Sequence, residues 1–235
     1  MCGLSKRFTD EDYYTVPRFL LDVDGMPMYV AAVLALKMTI PHQLYFIVDA
    51  HASTAFNLND DINSHFPSAV VIEVVGPTRG QAETVLLSAP SVDINNPSLI
   101  ISCDSIFEYD AVNYMSVLES GTITGSLLTF EQSLADPQRT YVDYGLDNAI
   151  SHVAANIPFS NTPIVGTYHW ANSIEMYKDL VDMITREDSV DGEYQVCPAV
   201  EHSASKLNST WIAYQVRDMM PLRTPKDYEL YTLGS

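Results

Sequence analysis

Apolar positions in the first half of the chain form short runs separated by longer segments of helical spacing. The apolar, β-branched runs predict buried strands at Gln43–Asp49, Ala69–Val75 and Ser98–Cys103. The intervening segments predict helices at Pro27–Met38, Ser53–Phe66 and Gln81–Ala89. Alternation of strand and helix at this spacing favours parallel pairing with right-handed crossovers, and therefore an α/β fold.

The second half changes character, because strand-like runs there follow one another with only short polar turns between them. These runs are Thr122–Phe130, Thr140–Tyr144, Ala149–Val153, Ile164–Trp170 and Thr210–Val216. Helical patterns cover Ala171–Ile184 and Thr224–Tyr231. We therefore predict one domain over residues 1–235, with a mostly parallel, Rossmann-like, three-layer α/β sheet. Added antiparallel strands would lie over the carboxyl edge of that sheet, where ligands bind in such folds.

Composition narrows the class of protein. The chain has 235 residues, 47% of them apolar and 18% charged, which excludes a disordered chain. No apolar run is long enough to cross a bilayer, and the first residues contain no apolar signal-peptide core. Three scattered cysteines make neither a disulfide framework nor a metal quartet. The expectation is a cytoplasmic globular protein.

The net charge of the chain restricts the classes of molecule that it can bind. The formal net charge of −18 argues against nucleic acid and anionic membranes, which both require basic surfaces. Residues 1–120 carry five bases against fifteen acids, and Lys6, Arg7 and Arg18 fall near the start. Either these bases are ordinary solvated side chains, or scarce positive charge is gathered around glycine-containing loops that could bind an anion.

Asp104 is the first candidate for chemistry. It directly follows a predicted buried strand, at the edge where a carboxylate can hold Mg²⁺ beside a phosphate. In isolation, an aspartate at this place more often caps the next segment. The turn Gly76–Gly80, followed by Gln81, offers backbone N–H groups and an amide to a polar ligand.

Several short motifs occur along the chain in a fixed order. They are Gly3–Phe8 (GLSKRF), Val16–Leu20 (VPRFL), Val23–Met28 (VDGMPM), Gly76–Leu86 (GPTRGQAETVL), Leu99–Asp104 (LIISCD), Val165–Tyr168 (VGTY) and Leu222–Tyr228 (LRTPKDY). This order resembles the sugar-nucleotide nucleotidyltransferases, which have a GT-A-like Rossmann fold. The family joins a nucleoside triphosphate to a sugar 1-phosphate or similar phosphorylated acceptor and releases pyrophosphate. The resemblance implies a nucleotide-binding half, residues 1–120, and an acceptor-side half, residues 121–235.

The resemblance also implies roles at the phosphate end of the nucleotide. The loop of Gly3, Leu4 and Ser5 would cradle the nucleotide, and Arg7 would balance the charge of the leaving pyrophosphate. Arg18, in the place of the family's lysine, would contact the same phosphates.

Further roles are implied downstream. Gly80 and Gln81 would face the base, with Ser102 also on the nucleotide side. Asp104 would hold Mg²⁺, and the carboxylate nearest the place of a second metal ligand is Asp218. On the acceptor side, Gly166 would leave room for the sugar and Tyr168 would lie beside it.

The motifs depart from the family pattern at four places, one of which is Pro221, where a second metal aspartate is usual. Arg18 replaces a lysine, Arg223 stands where glycine is usual, and Ala155-Asn156 replaces a Glu-Lys pair that grips the acceptor. An alternative function is therefore a catalytically lapsed relative that binds a nucleotide or a partner. A third is a nucleotide-sugar glycosyltransferase, which usually carries Asp-x-Asp where this chain has Ser102–Ser105 (SCDS). A homodimer through sheet edges is compatible with any of these functions.

Overall fold

The computed structural model describes residues 16–234, so the predictions for Gly3, Leu4, Ser5 and Arg7 lie outside the described residues. The chain divides into two compact units. Unit 1 contains the chain up to Thr78, the segment Ser102–Glu108 and the chain from Asp218 onward. Unit 2 contains Arg79–Ile101 and Tyr109–Arg217.

In the described part of unit 1, a 3-10 helix at Arg18–Leu20 leads into a short hairpin and a buried helix. Its strands are β1 (Asp22–Val23), β2 (Met26–Pro27), β3 (Tyr45–Asp49), β4 (Val70–Val74), β6 (Ser105–Glu108) and β12 (Arg217–Pro221), the last starting at the unit boundary. Its helices are α1 (Met28–Ala35), α2 (Ala50–Phe56), α3 (Leu58–His65) and α8 (Pro225–Gly234). The strands form three pairs: β1 with β2, β3 with β4, and β6 with β12.

The predicted strand–helix–strand unit is present in unit 1. Strands β3 and β4 pair in parallel, with Tyr45 opposite Val70, and the helical segment lies between them in sequence. The single helix predicted at Ser53–Phe66 is two helices instead. Asn57 ends α2 in the left-handed region with a φ of 50°, a conformation that asparagine tolerates better than most residues.

Unit 2 contains the larger sheet. Its strands are β5 (Ser98–Ile101), β7 (Gly125–Thr129), β8 (Thr140–Tyr144), β9 (Ile150–Ala155), β10 (Ile164–Trp170) and β11 (Trp211–Gln215). Its helices are α4 (Gln81–Leu86), α5 (Ala111–Glu119), α6 (Ser173–Thr185) and α7 (Cys197–Ala204). Four strands form a sheet in the order β11-β7-β10-β5, and β8 pairs with β9 as a separate antiparallel hairpin.

The four-stranded sheet is mixed rather than mostly parallel. Strand β10 runs antiparallel to both of its neighbours, β5 and β7, and only β11 and β7 are parallel. The third predicted strand, β5, was expected to pair in parallel, and its described partner is the antiparallel β10. The confirmed description is therefore a mixed α/β fold whose described sheets are small.

The core of unit 2 lies between one face of this sheet and the amphipathic helix α6. Two tryptophans anchor it: Trp170 and Trp211 pack edge to face, with ring centroids 4.8 Å apart. Helix α6 begins where the Asn172 side chain accepts hydrogen bonds from the backbone N–H groups of Ile174 and Glu175. Across residues 16–234, no helix is long and apolar enough to cross a membrane.

Candidate functional site

Asp104 lies just before β6 in unit 1, and its two carboxylate oxygens and its backbone carbonyl oxygen all have partners. Its carboxylate Oδ2 is 3.1 Å from Nη1 of Arg18, and Oδ1 accepts a hydrogen bond from the Ser102 hydroxyl. Its backbone carbonyl accepts from the N–H of Leu222 at 2.8 Å. The residue is only 7% exposed, so Asp104 is a buried anion held by a cation and a hydroxyl.

Arg18 reaches Asp104 from the 3-10 helix that follows Pro17. Its Nη1 also donates to the carbonyl of Arg223 at 3.3 Å. Burial acts to lower the pKa of Arg18, but the charge of Asp104 and a contact with Cys103 outweigh it, and the pKa is raised. Arg18 is therefore a permanent cation at this point of unit 1.

The carbonyl of Arg223 is fixed by the start of helix α8. Thr224 and Asp227 form a reciprocal capping box: the Thr224 N–H donates to the Asp227 carboxylate at 2.9 Å, and the Asp227 N–H donates to the Thr224 hydroxyl at 3.1 Å. This cap orders the chain next to Arg223. The closing motif, Leu222–Tyr228, therefore helps to position Arg18 of the opening motif through the Arg223 carbonyl.

Gly80 lies in unit 2, where the glycine turn contacts Tyr194. A Cβ atom at Gly80 would lie 2.5 Å from the carbonyl oxygen of Tyr194, and the φ of Gly80 is 144°. The N–H of Ala82 donates to that same carbonyl at 2.9 Å. The backbone of this loop therefore packs directly against Tyr194, which by itself requires glycine at position 80. The role of Gly80 and Gln81 at the base stays a separate prediction.

The side chain of Arg79 is also engaged within unit 2. It forms an ion pair with Glu83 at 2.8 Å, and its guanidinium lies 4.9 Å from the centroid of the Tyr194 ring. Hydrogen bonds from Arg79 lower the pKa of Glu83.

The two predicted acceptor residues lie on β10 in unit 2. Gly166 has a φ of 95°, and the register with β7 shifts between Ile164 and Tyr168, which marks a bulge that favours glycine. Tyr168 is 5% exposed and belongs to the apolar core of unit 2. Its proximity to a sugar stays a prediction.

The segment that replaces the family's Glu-Lys pair lies at the end of β9, away from the turn that joins β8 to β9. Ala155 is buried at the end of β9, and Asn156 follows in the left-handed region with a φ of 61°. The Asn156 amide donates to the Asp191 carboxylate at 2.5 Å, so the side chain is bound to the protein itself. Cys197, at the start of α7, is 1% exposed, and burial raises the pKa of its thiol to about 12.

The structure therefore brings together three of the predicted residues, Arg18, Ser102 and Asp104. Asp218 is exposed on β12 with a φ of 42°, and its metal role stays a prediction. Among residues 16–234, no group of three His, Cys, Asp or Glu side chains is arranged to hold a metal ion. The sequence interpretation missed the carbonyl of Arg223, because a backbone acceptor has no residue-type signal.

Comparison with solved structures shows a similar fold over nearly the whole chain. A nucleoside-diphosphate-sugar pyrophosphorylase from Vibrio cholerae RC9 superposes with a TM-score of 0.79 and 19% identity, covering 98% of this chain and 97% of that one. An inositol-1-phosphate CTP transferase from T. maritima gives 0.75 and 16%, covering 98% and 91%. A UDP-glucose pyrophosphorylase complexed with UDP-glucose gives 0.76 and 14%, covering 99% and 95%.

No protein-family model matches the sequence, and no curated protein matches it. The likeness at these identities shows the fold, and it confirms the resemblance to sugar-nucleotide nucleotidyltransferases at that level.

Proposed function

We propose that this chain is a nucleotidyltransferase that joins a nucleoside triphosphate to a sugar 1-phosphate or similar phosphorylated acceptor and releases pyrophosphate. The observation that carries the proposal is the meeting of Arg18, Ser102 and Asp104 in unit 1, on a fold similar to that of pyrophosphorylases. Three motifs that are far apart in sequence converge there: the opening arginine, the strand-ending aspartate and the closing loop at Arg223.

In this reaction the acceptor phosphate attacks the α-phosphorus in line, and catalysis comes from positioning and charge neutralisation. Arg18 suits that task because its planar guanidinium is always charged and can donate to two phosphate oxygens. Asp104 and the Arg223 carbonyl orient that guanidinium. The roles of Gly80, Gln81, Gly166 and Tyr168 toward the base and the sugar belong to the same proposal.

Mg²⁺ is the ion that we propose to accompany the triphosphate. The donor chemistry fits, because Mg²⁺ prefers oxygen ligands and is commonly held by one or two carboxylates together with substrate phosphates. Asp104 would hold it, with Asp218 as the second candidate. When bound, the ion neutralises phosphate charge. As the side chains stand, the carboxylate of Asp104 is paired with Arg18.

The proposal also covers the substrates, the cellular location and the assembly of the protein. A nucleoside triphosphate and a phosphorylated small molecule are the partners, and the cytoplasm supplies both. The Rossmann-like, three-layer plan and the sheet-edge homodimer stay proposals.

A panel assay of pyrophosphate release tests the proposal. The protein is incubated with Mg²⁺, each common nucleoside triphosphate and a series of sugar 1-phosphates and other phospho-acceptors. We expect release that requires one triphosphate and one acceptor together. In the variant Asp104→Asn turnover should fall by roughly 100-fold or more, because charge stabilisation of this kind commonly contributes that much.

The matched control is Asp182→Asn, the same chemical change at an exposed position of α6 in unit 2. Its turnover should equal that of the unchanged protein. Release that Asp104→Asn leaves unaltered would show that Asp104 has no part in the reaction.

The second candidate function is a lapsed relative that binds a nucleotide without turning it over. The observation that favours it is Asn156, whose side chain is bound to Asp191 where the family has its acceptor-gripping pair. Calorimetry separates the two functions: heat of nucleotide binding without pyrophosphate release from any acceptor would support the binder.

A further inference from the structure

The carboxylate of Asp104 is occupied by a cation that belongs to the protein. Arg18 contacts Oδ2 at 3.1 Å, and the hydroxyl of Ser102 donates to Oδ1. Both Arg18 and Asp104 are also shielded from water, since the side chain of Asp104 alone is 10% exposed and that of Arg18 is 21% exposed. Charge pairs in such a setting are screened less than pairs on the surface.

A divalent cation and the guanidinium would be mutually repulsive at this carboxylate. Mg²⁺ binds a carboxylate oxygen at about 2.1 Å, and Mn²⁺ has similar preferences for oxygen ligands. A metal ion at Oδ1 or Oδ2 would therefore lie within a few ångströms of the charge on Arg18. The repulsion at that separation is strong in a partly buried site.

Arg18 leaves Asp104 most readily when another anion receives its charge. The carbonyl of Arg223, 3.3 Å from Nη1, is a neutral acceptor and does not replace a carboxylate. Phosphate oxygens do replace it, because they match the guanidinium in both charge and geometry.

We propose that Arg18 and a divalent cation compete for Asp104, and that an anion bound by Arg18 opens the carboxylate to the metal. Cation binding at Asp104 and phosphate-like anion binding at Arg18 are then positively coupled, and by linkage the coupling is reciprocal. This inference rests on the proposed function for the identity of the anion, a nucleotide phosphate. The competition itself rests on the ion pair.

Mn²⁺ titrations followed by electron paramagnetic resonance of the free ion test the competition. The proteins are the unchanged chain, Arg18→Gln, Asp104→Asn and the double variant. We expect Arg18→Gln to bind Mn²⁺ roughly tenfold or more tightly than the unchanged chain, because a neighbouring positive charge is removed. The gain should vanish in the double variant, which lacks the carboxylate.

Lys226→Gln is the matched control. It removes one positive charge at an exposed position of α8 in the same unit, and it should leave Mn²⁺ affinity unchanged. A gain in the control as large as that of Arg18→Gln would mean that overall charge, rather than the ion pair, sets the affinity. Equal affinity in the unchanged chain and Arg18→Gln would overturn the competition.

Sulfate tests the coupling between anion binding at Arg18 and cation binding at Asp104. This test uses the unchanged chain, so it does not depend on whether a variant folds. At constant ionic strength, replacing chloride with sulfate should tighten Mn²⁺ binding several-fold, because sulfate draws Arg18 from Asp104. The effect should be absent in Arg18→Gln or, if that protein does not fold, reduced in Arg18→Lys. Sulfate without effect on the unchanged chain would overturn the coupling.

The same preparations separate this inference from the proposed function. Mn²⁺ binding as expected, with no pyrophosphate release from any substrate pair, would reject the enzyme and leave the competition standing. Release with the opposite metal-binding pattern would keep the enzyme and reject the competition.

Discussion

Arg18 and Asp104 form an ion pair in unit 1, with Nη1 3.1 Å from Oδ2. One residue comes from the start of the described chain and the other from the turn before β6. Because both side chains are largely shielded from water, removing either one alone would leave the other as an uncompensated charge, which destabilises a folded protein.

A double-mutant cycle measures that contribution. Arg18→Gln and Asp104→Asn should each lower the free energy of unfolding, and the double variant should lose less than the sum of the two. The expected coupling energy is about 0.5–3 kcal/mol, the range for residues that are in contact. Urea unfolding followed by circular dichroism gives all four values. A coupling of zero would show that the contact is not maintained in solution.

The exposed pair of Lys37 and Glu108 is the control cycle for unit 1. Their side chains are 48% and 59% exposed, so water screens the attraction. The coupling energy there should be below about 0.5 kcal/mol.

His169 makes the stability of the protein depend on pH. It is 2% exposed on β10, its Nδ1 has no hydrogen-bond partner, and burial lowers its pKa to about 4 from 6.5. Between these values the unfolded chain binds a proton that the folded chain does not, so stability falls as the pH drops from 6.5 to 4. The loss from this group approaches about 3 kcal/mol at the lower end.

The measurement compares urea unfolding of the unchanged protein with that of His169→Gln at several pH values from 7 to 4. The unchanged protein should lose more stability than the variant across this range. The control His51→Gln, at an exposed position of α2, should keep the pH dependence of the unchanged protein. Parallel curves for the unchanged protein and His169→Gln would contradict the prediction.

Asp179 is a fully buried carboxylate on α6 with two partners. It accepts a hydrogen bond from Nε1 of Trp170 at 3.2 Å and forms an ion pair with Lys206. Asp179→Asn removes the charge that pairs with Lys206, whose side chain is 37% exposed and can turn to water or to Glu175. The free energy of unfolding should therefore fall by about 1.5–3 kcal/mol, the contribution of a hydrogen bond to a charged group. Thermal or urea unfolding measures the change.

Asp182→Asn is the matched control on the same helix. Asp182 is exposed, and the substitution should alter stability by less than about 0.5 kcal/mol. If the two variants were equally stable, the ion pair of Asp179 and Lys206 would make no net contribution to the free energy of unfolding.

Gly80→Ala should destabilise unit 2 for two separate reasons. The φ of 144° is unfavourable for alanine, and the new Cβ would lie 2.5 Å from the Tyr194 carbonyl. We expect a loss of about 2–4 kcal/mol, larger than backbone strain alone. Gly121→Ala is the control, since Gly121 also has a positive φ, 66°, but open space around it. Equal losses at the two glycines would mean that the contact with Tyr194 is not tight.

Hydrophobic periodicity located most elements of the fold. The strands at Thr140–Tyr144 and Ile164–Trp170 match the prediction to the residue, and the first parallel pair, β3 with β4, was also predicted correctly. Periodicity missed α5 and α7, whose apolar residues are interrupted, and it could not show that Asn57 breaks a helix. Both helices and the break at Asn57 depend on tertiary packing and backbone geometry, which the hydrophobic pattern does not record.

The candidate site divides in the same way. Residue types and their order singled out Arg18, Ser102 and Asp104, because a carboxylate after a buried strand and a scarce arginine are visible in the sequence. That Asp104 is paired with Arg18, and that the Arg223 carbonyl holds the same guanidinium, was not visible.

By itself the sequence determined the α/β class and the chemical character of the candidate residues. Both depend on local periodicity and on side-chain type, which a linear chain carries. The tertiary structure alone decided that β5 pairs antiparallel with β10, that Gly80 fits against Tyr194 and that the charge of Asp104 is already satisfied. Each of these is a contact between segments distant in sequence, and such contacts exist only once the chain has folded.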